Sequence, residues 1–342
     1  MTGRDCILNH LDGRAVERLP FMPITMMFAA DQIGQPYGRY VRDFRVLVEG
    51  QIATAERFGI DYVSAISDPA REAHDCGAEI RFFDDQPPAV DEATPLLGDK
   101  DRLRTLRIPD PATSPRMSDR LEAVRRLREQ VGRERLVEGW IEGPCAEAAD
   151  LRGINHLMLD FFDDPEFVVD LLDFVTEMEI SFALAQLQAG AELIGVGDAA
   201  ASLVGPKIYR EFIQPREKRM VEAVHAAGGR FRLHICGDTR ALVRMMAELG
   251  CDIVDLDYPV PMEQARKEAG RDQMLLGNLH PVETVLAGPV EKIERELDEC
   301  WRAAGPRYIV GAGCEIPRGT PPEHLAAMGT FARRVQPTIP GP

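Results

Sequence analysis

Eight short apolar runs recur along the chain, and a stretch of helical periodicity follows most of them. They are Phe21–Met27, Ile60–Ile66, Arg135–Ile141, Ala191–Val196, Arg230–Leu233, Asp252–Leu256, Gln273–Leu276 and Tyr308–Gly313. Runs of this length without polar alternation read as strands buried on both faces. Strand alternating with helix implies a parallel sheet with right-handed crossovers. Eight such units predict a (β/α)8 (TIM) barrel, and that fold can hold all of residues 1–342 as one domain. A doubly wound open sheet is the structural alternative. No GxGxxG follows a strand, which weakens any dinucleotide reading.

The helices carry their own punctuation. Residues 4–18 read as a short helical N-terminal extension. Asp43–Phe58 has apolar residues at helical spacing and stops at Gly59. Ser118 is the expected N-cap of a helix to Gln130. Asp164 should cap a helix from Pro165 to Ala189, with Gly190 as its stop. A helix from Pro206 to Gly228-Gly229 should be kinked or broken at Pro215, because an interior proline removes a hydrogen bond. Helices are also expected over Arg240–Leu249, Val290–Ala303 and Pro321–Arg333. Residues 70–117 read as an irregular excursion over one face.

In such a barrel the working face lies at the C-terminal ends of the strands. The residues there are Asp68, Glu142, Asp198, His234, Cys236, Asp257, Asn278, His280 and Cys314. In the stretch Gly229–Thr239 (GRFRLHICGDT), His234 and Cys236 are two apart on a strand and so project the same way. One imidazole and one thiol together are half of a tetrahedral zinc site. Cys314 ends the last strand, YIVGAG, and supplies a third ligand, with the fourth position open for substrate. Asp198 and Glu142 are the candidate catalytic acids. Asp198, Asn278, Asp257 and Met27 are the candidate substrate contacts. His10, His74, His156, His225 and His324 read as structural, as do Cys6, Cys145, Cys251 and Cys300.

Zinc held by two thiolates and one imidazole is formally neutral and a weak Lewis acid. It suits a substrate thiol, lowering its pKa while leaving it nucleophilic, better than it suits making hydroxide. Alkyl transfer to a metal-bound nucleophile is the implied chemistry.

Composition narrows the partners. The net charge is −16, with 56 acidic against 40 basic residues, which disfavours nucleic acid and anionic membrane surfaces. Seven scattered cysteines in a chain of this size point to a reducing, cytoplasmic setting rather than a disulfide framework. The charged start, MTGRDCILNHLDGR, is no signal peptide, and no run of about 18 apolar residues occurs to span a membrane.

Five stretches, GRAVERLPFMP, EGPCAEAADLRG, HICGDT, GNLHP and GAGCEIPRGTP, give the chain a resemblance to the uroporphyrinogen decarboxylase superfamily. It resembles the methylcobamide-dependent methyltransferase branch more closely. The resemblance implies a (β/α)8 barrel and a zinc held by a His-x-Cys and a distant Cys, here His234, Cys236 and Cys314. It also implies a small corrinoid protein, or methylcobalamin, as methyl donor. The acceptor would be tetrahydrofolate or a thiol such as coenzyme M. A pterin edge read by Asp198 and Asn278 tips the expectation slightly toward tetrahydrofolate. The decarboxylase branch is similar to porphyrinogen binders with arginines just after the first strand. Here that region, MPITMMFAADQIGQPYG, has none between Phe21 and Gly38. A porphyrinogen decarboxylase is therefore the second reading. A non-catalytic corrinoid- or metal-binding module is the third, although no DxHxxG is present.

Overall fold

A computed structural model describes residues 1–337. Seven strands form one all-parallel sheet: β1 (Tyr62–Ser64), β2 (Leu136–Glu142), β3 (Leu193–Gly197), β4 (Arg230–Ile235), β5 (Ile253–Leu256), β6 (Met274–Leu279) and β7 (Tyr308–Ala312). Their spatial order is their chain order, so every connection is a parallel crossover. Such crossovers need a helix or comparable excursion. β2 is buried over its whole length, as a strand covered on both faces must be.

The eighth run, Phe21–Met27, does not form a ladder. Phe21 makes a single parallel bridge to Val310, and Met27 already begins a helix, Met27–Gln32. Pro20 and Pro23 have no N–H to donate, which limits pairing to the residues between them. Those residues still join the two ends of the sheet. Met22 N–H donates to Val310 O at 2.9 Å, and Asp61 N–H donates to Phe21 O at 3.1 Å just before β1.

The N-terminal helix is Gly3–Leu11, shorter than expected. It lies across the strand starts: Arg4 N–H reaches Glu134 O, and His10 Nε2 donates to Tyr308 O at 3.0 Å. One end of the sheet is thereby closed, and the other is left for chemistry.

The helix Pro165–Ala189 is capped by Asp164, whose side chain accepts from Phe167 N–H. It stops at Gly190, where φ is 116°, a conformation that glycine adopts without penalty. The expected break at Pro215 is a π-helical segment, Tyr209–Ile213, immediately before the helix Gln214–Ala226. The helix assigned to start after Ser118 starts at Pro115, with Ser114 at the N-cap position. Proline at the first helical position is the stronger signal. The helix expected over 240–249 is confined to Val243–Glu248.

Residues 70–117 are more regular than expected, with a helix at Arg71–Cys76, a two-stranded antiparallel ladder of Ile80–Arg81 with Ala89–Val90, and a 3-10 turn at Lys100–Arg104. Two further helices, Pro144–Arg152 and Ile154–Asp163, follow β2. Among the described residues no helix is long and apolar enough to cross a membrane.

Candidate metal centre

β4 carries Arg232 and His234 on one face, and the chain beyond it carries Cys236. The extension of β7 brings Cys314 alongside. His234 Nε2 lies 3.1 Å from Cys236 Sγ, which lies 3.9 Å from Cys314 Sγ. All three ligand atoms fall within 4.8 Å of one another. Tetrahedral zinc with Zn–S near 2.3 Å would set two sulfurs about 3.8 Å apart, so the thiols already stand at a ligating separation. Residues 78 positions apart in sequence are thus brought together by two strand ends.

Behind the imidazole stands a charged relay. His234 Nδ1 is 3.3 Å from Asp255 Oδ2, and Asp255 is the register partner of His234 across the β4–β5 ladder. Arg232 donates to the same Oδ2 from Nε at 3.0 Å and Nη2 at 2.7 Å. Its remaining Nη1 reaches Glu138 Oε1 at 3.1 Å. Metal-bound histidines generally offer their other nitrogen to a carboxylate, which sets the tautomer and ring orientation. The arrangement here leaves Nε2 for the ligand side.

The electrostatics agree with a ligand set. Cys314 is drawn down to about 4, first by a hydrogen bond from Cys236 and then, against burial, by His234. Cys236 is pushed up by the hydrogen bond to Cys314 and by burial. Burial alone would lower His234, but the charges of Cys236 and Asp255 outweigh it and raise the imidazole. Cys236 and His234 are shifted toward their protonated forms and Cys314 toward its thiolate, and a divalent cation bound by all three would displace the protons from the first two.

Beside this trio lies a small apolar cluster of Ile24, Ile66 and Trp140, separate from the main core, with Met26 against it. Gly195 and Gly197 make room for the indole. A Cβ at Gly195 would sit 2.3 Å from Trp140 Cε3, an impossible approach. Gly197 is the register partner of His234, so the indole packs beside the strand position that carries His234. Glu142, two residues beyond Trp140, projects to the same face, and its Oε1 is 3.3 Å from Arg71 Nη2. Burial holds the Glu142 carboxyl well above its usual range, with Arg71 opposing and Glu72 adding to the shift.

Met27 N–H donates to Glu315 Oε1 at 2.7 Å, which ties the start of its helix to the residue after Cys314. Glu315 itself is pushed up to about 8 by burial. Asp257 bonds backbone N–H groups on both sides, Gly237 to Oδ2 and Tyr258 to Oδ1, each at 2.6 Å. It therefore fixes the turn that follows Cys236.

Two expected substrate contacts are engaged elsewhere. Asp198 is fully buried, and its carboxylate accepts from Cys145 N–H at 3.3 Å and Ala146 N–H at 2.7 Å. It caps the helix Pro144–Arg152, and burial pushes it up to about 7. Asn278 donates to Asp257 O at 3.1 Å and Val260 O at 2.6 Å, while its carbonyl faces Cys300. It braces the loop after β5 on the helix side of β6. Asp68 is held by Ser67 and Arg116. His280 caps the turn after it, accepting from Val282 and Glu283 N–H, and stacks on Tyr258 at 3.8 Å.

Asp255, Arg232, Trp140 and Glu315 were not singled out from the sequence. Asp255 sits two residues before Asp257, as His234 does before Cys236, but only the register of the β4–β5 ladder sets it opposite His234.

Comparison with known proteins gives a consistent picture. Residues 2–335 match the uroporphyrinogen decarboxylase (URO-D) family. A methylcobamide:CoM methyltransferase from Methanosarcina barkeri is 27% identical over 94% of this chain and 95% of its own length. A uroporphyrinogen decarboxylase from Parasynechococcus marenigrum is 30% identical over 94% of each chain. In structure, a methyltransferase from Methanosarcina mazei superposes with a TM-score of 0.89 at 24% identity, covering 97% of this chain and 98% of that one.

Proposed function

The chain belongs to the uroporphyrinogen decarboxylase family, and on that footing we propose that it is a zinc-dependent methyltransferase. It would move a methyl group from a methylated corrinoid, carried by a small corrinoid protein or presented as methylcobalamin, to a thiol acceptor of the coenzyme M kind. The observation that carries this reading is the trio His234, Cys236 and Cys314, assembled from two strand ends with Asp255 behind the imidazole. The relatives named methylcobamide:CoM methyltransferase and the solved methyltransferase support it. We further read the seven strands and the Phe21 bridge as this family's version of the eight-fold barrel.

His234, Cys236 and Cys314 would hold the zinc. When bound, zinc supplies a site that keeps an acceptor sulfur in its thiolate form at neutral pH. Arg232 and Asp255 keep the imidazole in one orientation. Asp257 keeps the turn after Cys236 in place through its two backbone bonds. Trp140 and Ile66 would present an apolar wall that limits water at the reacting sulfur. Tetrahydrofolate is the weaker acceptor, because Asp198 and Asn278, the groups assigned to a pterin edge, already spend their hydrogen bonds on the protein backbone.

A second reading, porphyrinogen decarboxylation, has the Parasynechococcus relative in its favour. Against it stands the absence of arginine between Phe21 and Gly38, a segment that would have to clamp several carboxylates. One experiment separates them. Methylcobalamin should lose its methyl group, seen as a change in the corrin spectrum, when enzyme and 2-mercaptoethanesulfonate are added, and chelation should slow it. Decarboxylation of uroporphyrinogen by chelated enzyme, with methylcobalamin left intact by every acceptor, would reverse the assignment.

A further inference from the structure

We propose that Glu72, Glu147 and Glu179 form a second metal site, one that takes a hard divalent cation and is separate from the thiolate centre. The three carboxylates come from three helices, Arg71–Cys76, Pro144–Arg152 and Pro165–Ala189. Each offers an oxygen within 4.8 Å of the others. Oxygens that share one Ca2+ at about 2.3–2.6 Å necessarily lie within about 5 Å of one another, so the three meet that condition.

Proximity alone would not make a site. The second observation is the isolation of these groups from any donor. All three side chains are fully buried, at 0% exposure. Both oxygens of Glu147, both of Glu179 and Oε2 of Glu72 lack any protein hydrogen-bond partner. Buried carboxylate oxygens are almost always bonded, since leaving one bare is costly. Five buried carboxylate oxygens without a donor, on three residues that each bring one oxygen within 4.8 Å of the others, are what a bound cation would satisfy.

The nearby positive charge does not fill it. Arg71 is the guanidinium at hand, and its Nη2 is divided between Glu72 Oε1 at 3.0 Å and Glu142 Oε1 at 3.3 Å. Asp150 adds further negative charge nearby and is itself pushed up to about 7, by burial and then by Glu72. Burial and mutual repulsion hold Glu147 and Glu179 well above the usual carboxylate range. Two states relieve this: protons retained on the acids, or one divalent cation among them. The donor set decides the kind of cation. Oxygen-only, carboxylate-rich ligation selects Ca2+, Mn2+ or Mg2+ over zinc, and carboxylates able to bind through both oxygens favour the larger ions. The cation would staple the helices after β1 and β2 to the long helix Pro165–Ala189. Through Arg71 it would also hold Glu142 at the open end of the sheet.

The test is a Mn2+ titration of zinc-loaded protein, followed by electron paramagnetic resonance, with Ca2+ as competitor. One Mn2+ per chain beyond the zinc is expected, displaced by Ca2+, together with a saturable rise in Tm. The Glu147→Gln, Glu179→Gln double variant should bind Mn2+ at least tenfold more weakly while its zinc is retained. If that variant does not fold, the wild-type stoichiometry and Tm shift still decide. Folded wild type that takes up no Mn2+ beyond zinc, and shows the infrared band of protonated carboxyls, would overturn the proposal. So would undiminished binding by the folded double variant.

Discussion

Asp255 stands 3.3 Å behind His234 Nδ1, directly across the β4–β5 ladder, and Arg232 donates two hydrogen bonds to that same carboxylate oxygen. The imidazole faces a carboxylate that is itself held by Arg232. In metal sites this outer contact sets the tautomer and strengthens the ligand.

Removing it should therefore weaken the metal without removing a ligand. Asp255→Ala is expected to lower zinc affinity by roughly 10- to 100-fold, measured by competition with a chromophoric chelator. Asp255→Asn should fall between the variant and wild type, since it keeps the shape and one hydrogen bond. Wild-type affinity in both would assign Asp255 to the Arg232 ion pair alone.

Asp198 is predicted to act on stability, not on metal content. Its carboxylate satisfies two N–H groups at the start of Pro144–Arg152. Asp198→Ala should cost about 0.5–2 kcal/mol, read from chemical denaturation. Zinc content should be unchanged. A variant of wild-type stability with a raised KM for the acceptor would return Asp198 to the substrate site.

His10 should make acid stability depend on pH in a defined direction. Burial holds its imidazole down to about 4, against the bond to Tyr308 O. The unfolded chain takes up that proton near pH 6.5, and the folded chain does not until about pH 4. Stability is thus fully present above pH 6.5 and falls as pH drops toward 4, by about 3 kcal/mol in total. The difference in unfolding free energy between wild type and His10→Asn should shrink by a comparable amount over that window. A pH-independent difference would show that His10 titrates alike in both states.

How far the sequence carried these conclusions depended on whether the governing rule was local. His234 and Cys236 were legible because two-residue spacing on a strand is a local fact. Cys314 was legible because an apolar run ends at it. Asp255 was not, because its contact with His234 depends on strand register, which no single stretch encodes. The backbone bonds of Asp198 and Asn278 were not legible for a related reason: a polar residue at a strand end can turn inward to substrate or outward to a helix, and only packing decides. The Pro144–Arg152 helix escaped notice because almost every side chain in it is buried, so it shows no amphipathic stripe. The first strand failed at Pro20 and Pro23, where the apolar pattern was sound but the hydrogen-bonding groups were missing.

The central claim is that His234, Cys236 and Cys314 hold one zinc with a position left for a thiol. X-ray absorption at the zinc edge tests it most directly. Purified protein should contain about one zinc per chain, with two sulfurs near 2.3 Å and one imidazole in its shell. Adding 2-mercaptoethanesulfonate should raise the sulfur count from two to three, and the Cys236→Ser, Cys314→Ser double variant should hold no stoichiometric zinc. A zinc shell that the thiol leaves unchanged, or full zinc content in the double variant, would contradict the account.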